Sequence, residues 1–135
     1  MILLDVDHFK QVNDTYGHPV GDLILQQVAH LLQASIRAYD IAARFGGEEF
    51  LVLCADTDVP TTVQVAERIR TVVAEHVFTT PQGATLRITV SLGVQASTTT
   101  PQAMMQLIEA ADQALYQAKQ TGRNRVVTST REGGV

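Results

Sequence analysis

The stretch RFGGEEF, Arg44 to Phe50, sets two adjacent glycines, Gly46 and Gly47, directly before two adjacent acids, Glu48 and Glu49, with apolar chain on either side. Asn-Gly or Asp-Gly would close a hairpin as well, without crowding carboxylates against the bend. A third acid, Asp5, ends the apolar run ILLD. If that run pairs as a strand with the hairpin, Asp5 and one of the glutamates meet at the sheet's edge. Like charges held so close raise each other's pKa unless a cation lies between them. Magnesium suits such a place, because it takes one or two protein carboxylates and completes its octahedron with water and phosphate oxygens. Successive strand side chains point to opposite faces, so regular geometry turns only one of Glu48 and Glu49 toward Asp5, and the sequence leaves open which. Glycines at the bend let a ligand approach the backbone with no Cβ in the way.

The elements that position these acids follow from apolar spacing. Ile2 to Leu4 read as a short strand ending on DVD, and HFKQVNDTYG places Phe9, Val12 and Tyr16 at helical intervals before Gly17 stops the turn. Asp22 reads as the N-cap of an amphipathic helix, DLILQQVAHLLQASIR, with Ile24, Val28, Leu31, Leu32 and Ser35 or Ile36 on one face. IAARF and EEFLVLCA flank Gly46 and Gly47 as hairpin arms, and both glycines suit the positive φ of a two-residue primed turn. Thr61 or Thr62 is the expected cap of a further helix that turns Val63, Ala66, Ile69 and Val73 inward.

Beyond PQG, the residues Leu86, Ile88, Val90, Leu92 and Val94 alternate with Arg87, Thr89, Ser91 and Gly93, the mark of a strand with one covered face. STTTP reads as a loop. A last helix from about Pro101 to Gln120 carries Met104, Leu107, Ile108, Ala111, Leu115 and Ala118 on its core stripe, Gly122 ends it, and NRVV closes the chain as a strand. The pattern is α+β: a largely antiparallel central sheet flanked by helices, in one domain over residues 1–128, with 129–135 as a disordered tail.

Composition narrows the function. A chain of 135 residues makes a single domain, and 45% apolar with 18% charged residues is ordinary globular usage. A net charge of −4 offers no basic stripe for a nucleic-acid polymer, although a small anion carried with its own metal remains compatible. The single cysteine, Cys54 in FLVLC, reads as a small buried hydrophobe without an internal disulfide partner, which fits a reducing cytoplasm. No apolar run approaches the ~18 residues of a membrane span, and the first residues lack the basic start and cleavage site expected of a signal peptide. His30 reads as a surface histidine.

RFGGEEF occurs together with DVDHFKQVNDTYGHPVGD upstream and YQAKQTGRN downstream, in that order. This set resembles the GGDEF family of bacterial diguanylate cyclases, in its GGEEF variant, over essentially the whole chain. The resemblance implies a nucleotidyl cyclase-like fold related to polymerase palms. It also implies a reaction in which two GTP molecules condense into cyclic di-GMP, each 3′-hydroxyl attacking the other's α-phosphate and two pyrophosphates leaving. Each domain holds one GTP, so a homodimer is implied.

By the same resemblance Asp5, the Val6 carbonyl, Glu48 and Glu49 hold magnesium, with manganese as an alternative and two ions per active site. Glu48 is the implied base near the 3′-hydroxyl. Asn13 and Asp22 are the implied guanine readers, and an amide with a carboxylate suits guanine's edge, whose N1–H and N2–H₂ donors adenine lacks. His18 matches a substrate-contacting position, Lys119 and Arg123 the contacts to the triphosphate, and Lys10 a weaker phosphate contact. RAYD, Arg37 to Asp40, is separated from Gly46 by five residues and matches the family's inhibitory RxxD motif, where product binds; Arg68 matches a secondary arginine of that site. An arginine fork can take guanine O6 and N7 together.

Family domains usually begin earlier, with a helix and an LTGLxNR-type element. Neither is in this sequence, so the resemblance implies a catalytic domain lacking its N-terminal part. The alternative in another class is a non-catalytic module that senses cyclic di-GMP through Arg37 and Asp40, or GTP through the active site.

Overall fold

The computed structural model describes residues 1–54, 57–95 and 104–129. The first apolar run forms β1 (Ile2–Val6), followed by α1 (Phe9–Tyr16) and the long α2 (His18–Ser35). The acidic hairpin consists of β2 (Ile41–Arg44) and β3 (Glu49–Leu53), and α3 (Val59–Glu75) follows. Then come β4 (Phe78–Thr79), β5 (Thr85–Leu86), β6 (Val90–Val94), α4 (Met104–Gln120) and β7 (Val126–Thr128). Among the described residues, five strands form one sheet in the order β2-β3-β1-β6-β7, and β4 with β5 form a separate ribbon. Every pairing in the large sheet is antiparallel except β6 with β7, as the sequence pattern requires.

Strand alternation sorts the core into two layers. Ile2, Leu4 and Val6 join Phe50, Val52, Val90, Leu92 and Val94 against Ile24, Val28 and Leu32 of α2 and Val65, Ala66, Ile69 and Val73 of α3. On the other face Met1 and Leu3 pack with Leu107, Ala111 and Leu115 of α4. Asp5 is the next residue along that second face. The same helix that buries Leu3 therefore also overhangs the acid.

Five local expectations are corrected by the structure. Asp22 is not a cap: α2 begins four residues earlier, with Gly17 at its N-cap in a positive-φ conformation (φ 90°) and Pro19 in the first turn. Thr61 and Thr62 are not caps either. Asp58 holds that place, its Oδ1 accepting from Thr61 N at 2.9 Å, and Pro60 occupies the first turn. Neither Gly46 nor Gly47 takes a positive φ, so the bend is no two-residue primed turn. β2 and β3 stop at Arg44 and Glu49, and the loop between them closes through Phe45 N to Glu49 O at 2.8 Å.

The alternating stretch from Leu86 to Val94 divides into β5 and β6, and all of β6 is buried. Its small-residue face is covered because α4 comes so close that a Cβ on Gly93 would lie 2.2 Å from Ala111 O and 2.4 Å from Leu115 N. Met104, placed on the core stripe of α4, is exposed, and the buried stripe begins at Leu107. The expected loop at 97–101, the helix start at Pro101 and residues 130–135 of the expected tail lie outside the described residues, while Ser129, the first residue of that tail, donates its N–H to Val94 O at 2.8 Å. Cys54 is buried and His30 exposed, as read from the sequence.

Candidate active site

Register answers the question that alternation left open. Asp5 of β1 stands opposite Glu49 of β3, and directly opposed residues of an antiparallel pair project from the same face. Glu49 is therefore the glutamate turned to Asp5. Glu48 lies one residue outside β3, its carbonyl accepting from Val6 N at 3.2 Å, so the ladder fixes its backbone but not its side chain. Gly47 faces open space, where a Cβ would meet nothing within 4 Å, and a Cβ on Gly46 would lie 3.7 Å from Glu49 Oε2. Arg44 folds back onto the same bend, its Nε and Nη2 donating to Gly47 O at 2.9 and 2.6 Å. The arginine of RFGGEEF holds the turn.

Asp5 is 4% exposed. Burial pushes its carboxyl up to about 6; the hydrogen bond and charge of Lys119 oppose that rise, and Glu48 and Glu49 add to it. Lys119 Nζ, delivered from α4, pairs with Asp5 Oδ2. Asp5 Oδ1 is buried and has no hydrogen-bond partner. Among the described residues no three His, Cys, Asp or Glu side chains converge as a metal cluster, so the expected trio is a facing pair with Glu48 beside it. An orphaned carboxylate oxygen across from a second carboxylate fits a hard cation that takes one or two protein carboxylates.

The second aspartate of DVD does different work. Asp7 Oδ1 accepts from Ser91 Oγ at 2.7 Å, and Oδ2 from Thr89 Oγ1 at 2.6 Å and Asn124 N at 3.1 Å. It ties the end of β1 to β6 and to the turn after α4. In that turn Gly122, Arg123 and Asn124 all have positive φ, and Arg123 N donates to Ala118 O at 2.9 Å. Arg123 is thereby placed, exposed, beside the end of β1, on the same side as Lys119. His8, between β1 and α1, is left-handed (φ 56°), and Lys10 sits exposed in the first turn of α1. Helix N-termini of this kind present free backbone N–H groups to anions.

Asn13 and Asp22 come from α1 and α2. Asn13 Oδ1 is buried without a partner, and a Cβ on Gly21 would lie 1.9 Å from it. Only glycine at position 21 leaves room for that amide. Because Asp22 is in the second turn of α2 rather than at its cap, its carboxylate is not used by the helix end. It lines a cavity of about 460 Å³ between α2 and the hairpin, with Leu25, Gln26, Ala29, Arg44 and Phe50. His18 is the exposed first residue of α2.

The RxxD turn lies apart from these groups. Arg37 Nε and Nη2 donate to Asp40 Oδ2 and Oδ1 at 3.1 and 3.2 Å, and Nη2 also reaches Thr57 Oγ1 at 2.6 Å. Asp40 is buried, and its partnership raises the Arg37 pKa. The exposed ring of Tyr39 lies 4.7 Å from the guanidinium. Arg68 Nη1 donates to Ser35 O at 3.1 Å, at the end of α2 just before Arg37.

Sequence reasoning missed Asp7, Gly21, Arg44 and Gly93 as positioning residues. An isolated glycine inside a helical or strand pattern is the available signal for Gly21 and Gly93; nothing local separates Asp7 from Asp5.

A mixed sheet with helices on both faces, and an acidic hairpin beside the end of its central strand, defines a nucleotidyl cyclase-like domain. The family model described as "Diguanylate cyclase, GGDEF domain" matches residues 1–125, and the chain belongs to that family. It is 42% identical over 129 residues to diguanylate cyclase A of Treponema denticola, covering 96% of this chain and 34% of that protein. To the response regulator PleD of Caulobacter vibrioides it is 44% identical over 130 residues, covering 93% and 28%. The chain thus spans about a third or less of the length of these curated relatives. Among solved structures it resembles the GGDEF domain of DgcB from Caulobacter crescentus in complex with c-di-GMP, with TM-score 0.87 and 35% identity over 94% of this chain and 75% of that one. It also resembles the active GGEEF domain of a diguanylate cyclase from Vibrio cholerae, with TM-score 0.86 and 37% identity over 97% and 82%. No helix among the described residues is long and apolar enough to cross a membrane.

Proposed function

We propose that this chain is the catalytic part of a diguanylate cyclase that joins two GTP molecules into cyclic di-GMP and releases two pyrophosphates. The observation that carries the reading is the orphaned, buried Oδ1 of Asp5, set opposite Glu49 on the face overhung by Lys119. Asp5, the Val6 carbonyl, Glu48 and Glu49 would hold magnesium or manganese, two ions per site. Bound there, the ions supply charge neutralisation of the phosphates and a lowered pKa for the attacking hydroxyl.

The chain's own residues do the rest. Asn13 of α1 and Asp22 of α2 read guanine, with His18 at the start of α2. Lys119, Arg123 and Lys10 neutralise the triphosphate, and Glu48, with its side chain outside the ladder, takes the proton of the 3′-hydroxyl. One domain binds one GTP, so the two reacting nucleotides meet only when two domains face each other. Arg37, Asp40 and Arg68 form the product site that halts turnover. Support for that site is the preformed Arg37–Asp40 fork and the c-di-GMP present in the related DgcB domain structure.

The test is incubation of the chain, fused to a dimerising coiled coil, with GTP and magnesium, with mass spectrometry for cyclic di-GMP and Glu48→Ala as control. Product from the parent and none from the variant is expected. No product at any protein concentration refutes the enzyme reading and leaves the sensor reading, which calorimetry with cyclic di-GMP against Arg37→Ala then checks.

A further inference from the structure

The packing of α4 fixes where the Lys119 side chain starts. Leu115, one turn earlier, is buried with Leu3 in the layer beneath α4, and Asp5 follows Leu3 on the same face of β1. The turn after α4 is also anchored, by Asn124 N to Asp7 Oδ2 at 3.1 Å. Lys119 and Asp5 are thus held together from both ends of a rigid frame, while their side chains differ in freedom: 32% of the lysine side chain is exposed and 6% of the aspartate's. The carboxylate has nowhere to go. The ammonium can swing into solvent.

Asp5 meanwhile is only half satisfied. Oδ2 has Lys119, and Oδ1 has no partner though buried. A buried carboxylate with one unpartnered oxygen, a second carboxylate opposite and a partly exposed ammonium on its other oxygen has the chemistry of a cation site in which the ammonium stands as substitute ligand.

We infer that Lys119 is a tethered counter-ion for Asp5, holding that carboxylate until nucleotide phosphates draw the ammonium away and clear the position for a metal ion. The inference rests on the metal reading given under Proposed function and adds a coupling to it. While Lys119 remains on Asp5, its charge repels a divalent ion arriving alone. When a triphosphate brings its own negative charge, Lys119 transfers to the phosphates and the repulsion becomes attraction. Metal and nucleotide then bind with positive coupling, and Lys119 carries it.

Manganese titration of the full chain, followed by electron paramagnetic resonance, tests this without turnover. In the absence of nucleotide and at about pH 8.5, to keep Asp5 ionised once the lysine is gone, Lys119→Met, which keeps the apolar stem, should bind Mn²⁺ roughly tenfold more tightly than the parent. Lys119→Arg should bind as the parent does. A non-hydrolysable GTP analogue should tighten Mn²⁺ binding in the parent by a larger factor than in Lys119→Met. Lys119→Gln serves in place of the methionine variant should the latter melt early. Equal or weaker Mn²⁺ binding by the neutral variants without nucleotide overturns the inference and leaves the metal reading standing. No Mn²⁺ bound by any of these proteins, with or without the analogue, overturns both.

Discussion

Gly21 and Asn13 form a matched pair: a Cβ at position 21 would lie 1.9 Å from Asn13 Oδ1 and 3.2 Å from Phe9 Cζ. Gly21→Ala sets two effects against each other. Alanine gains about 1 kcal/mol of helix propensity over glycine, and the clash falls mainly on the far end of a side chain that can turn away. Stability should therefore change little, by less than about 1 kcal/mol. The displaced amide should cost guanine binding about tenfold, the scale of one lost hydrogen bond in a buried site. Calorimetry with a GTP analogue and a thermal melt, run on the same protein, separate the two. A melt lowered in proportion to the affinity would count against a positioning role for Gly21.

Asp5 makes the fold's stability depend on pH in the direction opposite to a salt-bridged surface acid. Its folded pKa, about 6, lies above the usual 3.8. Protons bind the folded state more readily, so the stabilisation is fully present below the unfolded value and lost as pH rises through about 6. Asp5→Asn should accordingly stabilise the metal-free protein above that range, by on the order of 1–2 kcal/mol, and make no difference in acid. Paired denaturant titrations across pH check this. Cation binding needs the ionised form, so affinity for Mn²⁺ in the parent should fall as pH drops through about 6.

Glu49 is one source of that upward shift, standing directly opposite Asp5. Glu49→Gln should lower the Asp5 pKa part of the way to its ordinary value while also weakening cation binding, with an unchanged thermal melt to separate this from loss of structure, which would lower that pKa as well. Carbon-detected NMR titration of the Asp5 carboxyl reads the first effect. An unmoved Asp5 titration would mean that register alone does not bring the two charges into contact.

The strands of the large sheet and the helices were legible because each follows from a repeating period, whereas the short β4–β5 ribbon, two residues per strand, is too brief to show one. Ile2, Leu4 and Val6 against Met1, Leu3 and Asp5 is a period of two, and the stripes of α2, α3 and α4 a period near 3.6. Element ends were less legible, since they depend on single residues that compete. Asp58 and Pro60 together outbid Thr61, and Gly17 with Pro19 starts α2 before Asp22 is reached. Ser91 and Gly93 look like a solvent face because they are small, yet they are small because α4 presses on them. The site acids were visible by type. Which glutamate faces Asp5, and that a lysine from the far end of the chain rests on it, are facts of register and packing that no local pattern encodes.

DVD itself supplies the sharpest contrast, two identical residues, Asp5 within β1 and Asp7 just past its end, with opposite expected effects. Asp7 is as buried as Asp5, at 4% exposure for each, but its two oxygens accept three hydrogen bonds, from Ser91 Oγ, Thr89 Oγ1 and Asn124 N. Asp7→Ala leaves the Ser91 hydroxyl buried without its acceptor and releases Asn124 from β1. The loss should be about 2–4 kcal/mol, the desolvation cost of more than one deprived donor. The turn that carries Arg123 should loosen with it, seen as faster amide exchange at Arg123 and Asn124. Asp7→Asn keeps one acceptor oxygen and should recover part of the stability. Asp5→Asn should move stability the other way at neutral pH, because Asp5 has a desolvation penalty and an unpaired oxygen where Asp7 has partners. Denaturant midpoints of the two asparagine variants, measured side by side, decide the matter: a shift of the same sign in both would mean that the two carboxylates share one role.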